Sequence, residues 1–411
     1  MEQTTRTPQI AVVGAGPSGC YTAQFLIKSH PAVEVTVFDR LPLPFGLVRY
    51  GVAADHQGTK AVTRQFERLF DAPRVRFAGN VELGRDMSVR DLLDDFDAVV
   101  LATGLHDDLA LALGGSQLPG VVGSGALTRY LNGHPDAQPP LCGGDVVVVG
   151  AGNVAVDVVR LLAKSLEDYA GSDLDDQALA HVTAGLTSIT MLARSQAAAA
   201  KFDRAMIHEL GEIPGVAIEV HGVEDAADDP KSTTVRELVR APADARVRIS
   251  LRFNTSTIEI VGNGVVEGLR VRDDRGEHVL PATAVVTAIG FHGERAEATD
   301  ARVRTVGWAR RGPVGTIPEN RADAREVAEQ IAALLAEADD APARPGFDGL
   351  PPEVRERAVG IDHWRRIDAL EIATAAPGRT RHKIRTWAGL LDPDENLALA
   401  GAPSVSKGSE R

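Results

Sequence analysis

Cysteine is nearly absent from this sequence. The 411 residues include only two, Cys20 and Cys142, and these do not form a CxxC pair. Their number and spacing exclude the paired thiols of a disulfide-oxidoreductase centre and of a cysteine zinc site. We expect both thiols to be buried and inert in a reducing compartment, and we expect no bound metal.

Long hydrophobic runs and an excess of positive charge are also absent. No apolar stretch approaches the roughly 18–20 residues that a membrane-spanning helix needs, and no secretory leader is visible. The formal net charge is −13, which argues against nucleic-acid binding because that binding requires many cations to neutralise phosphates. We therefore expect a soluble cytoplasmic protein that binds neither membranes nor nucleic acids.

Aromatic residues make up only 4% of the chain, although 44% of it is hydrophobic. Aliphatic side chains must therefore build most of the core, and aliphatic runs are typical of buried parallel strands. A chain of this length usually forms two domains. Together these features favour an α/β fold.

A glycine-rich turn lies near the start of the chain, between an apolar run at 9–13 and a helical stretch. In this turn Gly14 allows the tight bend, Gly16 lets the backbone approach a pyrophosphate, and Gly19 lets helix and strand pack closely. The helix N-terminus offers free N–H groups to phosphates. The next apolar run ends at Asp39, which can accept hydrogen bonds from a ribose diol.

The same pattern recurs in the middle of the chain. A strand at 145–149 leads into a second turn that contains Gly150, Gly152 and, in place of the third glycine, Ala155. The next strand ends at Arg194 instead of an acid. An arginine there can pair with the 2′-phosphate of NADP, whereas a carboxylate suits the free 2′-hydroxyl of NAD. We therefore predict FAD at the first turn and a nicotinamide dinucleotide at the second.

Two more segments, 99–104 and 285–290, have the pattern of a strand that ends at a glycine. They predict where the chain leaves the first domain and where it returns. Hairpin signals lie between them at 262–264 and 274–276, and a polar connection is expected at 172–186. We predict two Rossmann-like dinucleotide-binding domains of the three-layer β/β/α type, one inserted in the other: FAD-binding residues 1–107 and 288–411, and NAD(P)-binding residues 108–287.

A longer motif is more specific than either turn. Residues 40–56, RLPLPFGLVRYGVAADH, together with the turns GAGPSG and GAGNVAVD, closely resemble the adrenodoxin-reductase-like ferredoxin–NADP reductases. Residues 307–317 are similar to the late FAD motif of that family, and residues 364–383 are similar to its C-terminal segment. The resemblance covers nearly the whole chain, with weaker matches at 105–140 and 195–260.

The resemblance implies cofactor contacts at matching positions. For FAD these positions are Ala15, Asp39, Leu47, Val81, Trp308, Gly315, Thr316 and Ile317. For the nicotinamide nucleotide they are Asn153, Val154, Ala155, Val156 and Arg194, and Gly315 could meet both cofactors. The family's residues at the flavin–nicotinamide junction correspond to His56 and Glu209.

Asp157 is a third polar candidate, because it follows Asn153 by about one turn of the same helix. A histidine beside such carboxylates could hydrogen-bond to them and tune proton movement. The alternative for His56 is a structural histidine packed next to the flavin, and Trp308 is either a stacking wall or a core anchor.

The chain departs from the family pattern in the nucleotide pocket. The family's second arginine after Arg194 is Ser195 here, another arginine is replaced by Leu109, and a nucleotide-contacting glutamate by Met206. Losing one or two phosphate-pairing arginines should weaken NADP binding by about ten- to a few-hundred-fold in total, which corresponds to roughly 1.5–3 kcal/mol. Lys201 could compensate. We expect NADPH or NADH as the donor, with relaxed or NADH-leaning preference.

The implied activity is that of a ferredoxin reductase. A hydride passes from NAD(P)H to flavin N5, and single electrons then go to an acidic iron–sulfur ferredoxin, with a cytochrome P450 or another oxygenase as the downstream user. Ferredoxins are usually acidic, so two basic runs are candidate docking faces, with solvated charge as the alternative: Arg236, Arg240, Arg246, Arg248 and Arg252, and Arg379, Arg381, Lys383 and Arg385.

Two other functions remain open at this stage, because a fold does not determine its function. One is an FAD-dependent small-molecule oxidase or monooxygenase on the same scaffold. The other is a non-catalytic flavoprotein that serves as a redox-sensing partner.

Overall fold

The computed structural model describes residues 6–223, 229–293, 300–315, 317–337 and 342–393. Within these residues two parallel sheets dominate, and the aliphatic runs that the sequence predicts as strands lie in them. None of the helices in these ranges has both the length and the hydropathy that a bilayer crossing requires.

The first sheet has five parallel strands in the order β16-β4-β1-β2-β3. Four of them come from the first hundred residues, and the fifth follows about two hundred residues later. The strands are β1 Gln9–Val13, β2 Glu34–Phe38, β3 Val75–Ala78, β4 Ala98–Leu101 and β16 Val303–Thr305.

The second sheet has six parallel strands in the order β6-β14-β7-β8-β10-β9, all from the residues between β4 and β16. Its strands are β6 Val121–Gly123, β7 Asp145–Val149, β8 Ser188–Leu192, β9 Val216–His221, β10 Val247–Arg252 and β14 Ala284–Thr287.

The remaining strands of the described residues form two small antiparallel sheets. A three-stranded meander joins β11 Ser256–Val261, β12 Gly268–Asp273 and β13 Gly276–Pro281, so both predicted hairpins are present. A two-residue ladder pairs β5 Asp107–Asp108 with β15 Phe291–His292 and holds the outgoing and returning connections side by side.

Helices occupy most of the connections between strands. The first part of the chain contains α1 Pro17–Ser29, α2 Gly46–Tyr50, α3 Gln57–Lys60, α4 Thr63–Leu69 and α5 Val89–Asp95. The middle contains α6 Ser124–Leu131, α7 Asn153–Ala163, α8 Asp176–Val182, α9 Arg204–His208 and α10 Pro230–Glu237. The last part contains α11 Trp308–Arg311, α12 Ile317–Glu337, α13 Pro352–Arg357, α14 Ile361–Ala373 and α15 Trp387–Leu391. Short 3₁₀ helices lie at Leu166–Tyr169, Ala197–Ala199, Glu209–Glu212 and Gly346–Gly349.

The second sheet is the centre of a three-layer unit. On one face Val147 and Val285 pack against Ile260 and Leu269 of the meander. On the other face α7 contributes buried residues such as Val159 to a core shared with neighbouring helices. The predicted α/β fold, with one dinucleotide-binding unit nested in another, is therefore confirmed, whereas the domain limits at 107/108 and 287/288 stay a prediction.

The stretch 172–186 is not simply the polar connection that we predicted. Asp175 accepts a hydrogen bond from the backbone N–H of Ala178 at 2.7 Å and so caps α8, while Leu179 is buried. Little in the sequence indicated this helix because it has only seven residues, of which Ala178, Leu179 and Val182 are buried.

The two thiols agree with the expectation of inert cysteines. Cys20 is fully buried in α1 and Cys142 is half-buried, and both are free. Burial raises the pKa of both thiols, to about 11 for Cys142. A thiol with a raised pKa supplies little of the reactive thiolate at neutral pH.

Buried charges hold the two units together along the seam between them. Asp173 from the inserted part accepts hydrogen bonds from Lys60 at 2.7 Å and from Lys383 at 2.9 Å, and both ammonium groups also reach the Asn132 side chain. Burial lowers the pKa of both lysines. Although burial alone would raise it, the pKa of Asp173 falls to about 2 because Lys383 and Lys60 stabilise its charge.

Replacing Asp173 by Asn should destabilise the fold in a pH-dependent way. It leaves two buried ammonium groups without their counter-ion, and removing one partner of a buried pair costs about 3–5 kcal/mol. Because burial lowers the lysine pKa values, the folded state binds fewer protons than the unfolded state and stability rises with pH. The loss of unfolding free energy should therefore be smaller at pH 10 than at pH 7.

Urea unfolding at both pH values measures this effect. Asp362→Asn is the control, since Asp362 is 87% exposed and pairs with Arg365 on the surface. That change should cost no more than about 0.5 kcal/mol. An equal loss for Asp173→Asn at the two pH values would contradict the interpretation.

Candidate functional site

The first glycine turn connects β1 to α1 and has the geometry that a phosphate-binding turn requires. Gly14 has a φ of +109°, and a Cβ there would lie 2.4 Å from the carbonyl oxygen of Ala102. A Cβ on Gly19 would lie 1.9 Å from the carbonyl oxygen of Gly14, so helix and strand touch. Gly16, by contrast, has no protein atom within 4 Å of such a Cβ and faces open space. It is also the N-cap of α1, and no side chain caps that helix.

Asp39 lies directly after β2 and braces this turn. Its carboxylate accepts hydrogen bonds from the backbone N–H of Ala15 and from that of Leu41, each at 2.9 Å. Burial raises the pKa of Asp39, while these two hydrogen bonds act in the opposite direction. The predicted ribose-binding carboxylate is thus fixed beside the turn.

The motif at 40–56 folds over the same turn. The backbone N–H of Phe45 donates to the carbonyl oxygen of Ala15 at 2.9 Å, and Phe45 itself has a left-handed φ of 84°. Such a conformation in a bulky residue is costly and is maintained only where the surroundings enforce it. Leu47 on α2 is 39% exposed, whereas Val81 is buried and its N–H donates to the carbonyl oxygen of Asp39.

The motif at 307–317 lies next to the segment that leads from the inserted unit back to the first sheet. Trp308 begins α11 and stacks on Phe291 with ring centroids 5.6 Å apart. Its indole N–H is buried and has no partner in the described residues. Gly315 has a φ of +98°, and Ile317 is the first residue of α12. Thr316, the remaining residue predicted here, lies outside the described residues.

The second glycine turn connects β7 to α7 and repeats the geometry of the first. A Cβ on Gly150 would lie 2.2 Å from the carbonyl oxygen of Ala288, while Gly152 is open apart from a distant contact with Lys201. Gly152 is the uncapped N-cap of α7. Val154 is 38% exposed at the mouth of this turn, whereas Ala155 and Val156 are fully buried and serve the core.

Asn153 is engaged within the protein. Its side-chain amide donates to a carboxylate oxygen of Asp203 at 2.7 Å, and its carbonyl oxygen accepts from the Asp203 backbone N–H at 2.7 Å. This pair fixes the loop beside the second turn. Any nucleotide contact from Asn153 in this arrangement comes from its backbone.

The two cations predicted for the nucleotide pocket are exposed, and two of the positions that depart from the family pattern lie in different settings. Arg194 is exposed after β8, and within the described residues it has no hydrogen bond or ion pair. Lys201 is exposed as well, and its backbone N–H donates to the carbonyl oxygen of Ala151. Leu109 is 37% exposed beside Gly290, and Met206 is half-buried against the core of the inserted unit.

The structure brings together the three polar residues predicted for the junction. The Nδ1 atom of His56 lies 3.8 Å from Oδ1 of Asp157, and its Nε2 atom lies 3.6 Å from Oε2 of Glu209. The three side chains are 23–35% exposed, so they line a surface that solvent reaches. His56 comes from the first unit and both carboxylates from the inserted one, so the cluster lies where the two units meet.

Sequence reasoning missed the buried cation in this cluster. Arg160 is 2% exposed and contacts Asp157 at 2.7 Å, Glu209 at 3.1 Å and also Asp55. Although burial alone would raise it, the pKa of Asp55 is lowered because Arg160 and Lys164 stabilise its charge. The sequence contained one usable signal, since Arg160 follows Asp157 by three residues on one helix.

Many side chains of the two basic runs form hydrogen bonds or ion pairs within the protein. Arg240 donates to backbone carbonyls, including that of Leu210, and Arg246 donates to that of Ala163. In the second run Arg379 pairs with Asp176 at 2.8 Å, Arg381 with Asp368, and Arg385 with Asp175 at 3.1 Å. Lys383 lies in the buried seam. The second run therefore ties the tail to the body of the protein and does not present an open docking face.

A family model described as pyridine nucleotide-disulphide oxidoreductase matches residues 8–312. Cindoxin reductase of Citrobacter braakii is 40% identical over 415 residues, which cover 94% of this chain and 91% of that protein. The mitochondrial NADPH:adrenodoxin oxidoreductase of Homo sapiens is 30% identical, covering 96% of this chain and 92% of that protein. The solved structure of Mycobacterium tuberculosis FprA in complex with NADPH superposes with a TM-score of 0.84 at 30% identity, covering 93% and 99% of the two chains.

The match to the family model spans most of the sequence, and the relatives align over more than nine-tenths of it. The two glycine turns and the nested sheets agree with that assignment. The chain belongs to the pyridine nucleotide-disulphide oxidoreductase family, and within it to the adrenodoxin-reductase-like ferredoxin–NADP reductases.

Proposed function

We propose that this protein is an FAD-dependent ferredoxin reductase that takes electrons from NADPH and delivers them singly to an acidic iron–sulfur ferredoxin. The observation that carries the proposal is the pair of open, uncapped helix N-termini at Gly16 and Gly152, each behind a glycine turn. Helix N-termini of this kind bind diphosphates through free N–H groups and the helix dipole.

The residues of the first site fit FAD. Gly16 leaves room for a pyrophosphate, and Asp39 is fixed where a ribose would lie. The indole N–H of Trp308 is buried and finds no partner among the described residues. Bound FAD would supply the hydride acceptor and the step from two-electron to one-electron transfer. The protein would orient it and exclude water.

The residues of the second site fit a nicotinamide dinucleotide with a single phosphate-pairing cation. The guanidinium of Arg194 is exposed and has no partner in the part of the chain that the structure describes, so it can take a 2′-phosphate, whereas Ser195 adds no charge. We therefore propose NADPH as the donor, with a preference over NADH of less than about a hundredfold, because each charge-assisted contact contributes about 1.5–3 kcal/mol.

The proposed acceptor rests on the relatives. One is named as a reductase of cindoxin and another as an oxidoreductase of adrenodoxin. An iron–sulfur ferredoxin that serves a cytochrome P450 is the acceptor class that we propose for this chain.

Ferredoxin dependence is the direct test of this function. With NADPH as donor, cytochrome c reduction should rise strongly when an iron–sulfur ferredoxin is added, because the ferredoxin carries the single electrons. The control is NADPH with cytochrome c but without ferredoxin. Oxygen uptake that depends on a small-molecule substrate and ignores ferredoxin would instead favour an oxidase or monooxygenase.

Replacing Gly16 by Ala should weaken FAD binding while leaving the fold intact. The new Cβ meets no protein atom but occupies the space in which a pyrophosphate would approach the backbone. Flavin content after purification and the Kd for FAD measure the effect, which should be at least about tenfold. Gly360→Ala is the matched control, since Gly360 is also an extended N-cap with open space around it. Equal flavin content in the two variants would reject the assignment.

Replacing Arg194 by Ala should raise KM for NADPH by about tenfold or more and leave KM for NADH within about twofold. Only NADPH carries the 2′-phosphate that the guanidinium would pair with. Steady-state kcat/KM for both nucleotides measures the change, with Arg248→Ala as a control arginine on the exposed side of β10. A wild-type preference for NADPH above a hundredfold would contradict the relaxed pocket.

A further inference from the structure

Arg160 is the most completely buried charge beside the cofactor junction. It projects from α7 with only 2% of its side chain exposed, and its guanidinium contacts three carboxylates. It donates one hydrogen bond to Asp157 at 2.7 Å and another to Asp55, whereas its Nε atom forms an ion pair with Glu209 at 3.1 Å that lacks hydrogen-bond geometry. A guanidinium is suited to this task because its planar fork presents several donors in fixed directions.

The atoms that Arg160 holds are the same atoms that face His56. Oδ1 of Asp157 lies 2.7 Å from the guanidinium and 3.8 Å from Nδ1 of His56. Oε2 of Glu209 lies 3.1 Å from the guanidinium and 3.6 Å from Nε2 of His56. One buried cation therefore sets the position of the carboxylate oxygen on each side of the imidazole.

We propose that Arg160 is a positioning residue that places Asp157 and Glu209 beside the two ring nitrogens of His56 and so orients the imidazole at the junction where NADPH would reduce the flavin. This inference rests on the ferredoxin reductase function proposed above. In that reaction a hydride passes from NADPH to the flavin, so the step depends on how the groups at the junction are aligned.

Five charged side chains form the cluster around His56. Arg160 and Lys164 supply two positive charges, whereas Asp55, Asp157 and Glu209 supply three negative ones. These groups come from α7, from the segment before α3 and from the 3₁₀ helix at 209–212. Loss of Arg160 would leave three carboxylates facing a single lysine, and each carboxylate would then bind protons more readily.

Three variants of the flavin-loaded protein test the inference by anaerobic single-turnover reduction with NADPH between pH 5 and 9. Arg160→Gln removes both the charge and the geometry, Arg160→Lys keeps the charge alone, and Lys164→Gln is the matched control. Lys164 pairs with Asp55 in the same cluster but is not among the ion partners of Asp157 or Glu209.

Arg160→Gln should lower the maximum reduction rate by about 10- to 100-fold, the range expected for misplaced catalytic groups. The NADPH concentration that gives half of the maximum rate should stay within about twofold of the wild-type value. The midpoint of the rate–pH profile should move to higher pH, because Arg160 opposes the rise in pKa that burial causes at Asp157. Arg160→Lys should keep the wild-type midpoint but lose about tenfold in rate, since one ammonium group cannot hold both carboxylates.

A wild-type rate and midpoint in Arg160→Gln would overturn the inference, as would an equal change in Lys164→Gln. If Arg160→Gln does not retain flavin, the lysine variant decides, and a wild-type rate in it rejects the positioning role. The double variant with Glu209→Gln adds a second readout, because loss of Arg160 should cost less once its partner is neutral. If NADPH does not reduce the flavin of the wild-type protein, the proposed function is wrong, and this inference fails with it.

Discussion

The close packing of a carbonyl oxygen against the first glycine of each turn is the constraint on which the architecture depends. Ala102 abuts Gly14 in the first unit, and Ala288 abuts Gly150 in the second. Both carbonyls belong to the connections that carry the chain out of one sheet and back. Each phosphate-binding turn therefore packs directly against a connection between the units. Any side chain larger than hydrogen at either glycine would disturb the turn and the connection together.

A second constraint acts where the two units touch. Lys60, Asp173 and Lys383 are buried there together, and His56 meets its carboxylates nearby at the same boundary. Charges in such places are retained only with well-made partners, since their desolvation is costly. The relative placement of the units is thus specified by polar contacts that tolerate little displacement, which is what two cofactors in ring contact would require.

Much of this could be read from the sequence because the signals were local. The strand at 145–149, the turns with their glycines and the hairpins around β12 follow from short-range patterning and backbone sterics. The meeting of His56 with Asp157 and Glu209 came from family resemblance, not from periodicity. The contacts of Arg160 with Asp55 and Glu209 could not be predicted, because these partners are distant in sequence. The same holds for the pairing of Arg379 and Arg385 with residues of the inserted unit.

The nested arrangement has a consequence for how the chain folds. Strand β4 can pair with β1 once about the first hundred residues have been synthesised. Its outer neighbour β16 is synthesised only after the whole inserted unit. Until then one side of β4 has unpaired N–H and C=O groups that could pair with another chain. Rapid folding of the insert would bring its two ends together at the ladder of β5 and β15 and deliver β16 to that edge. Synthesis order and insert stability would then govern how much newly made protein aggregates.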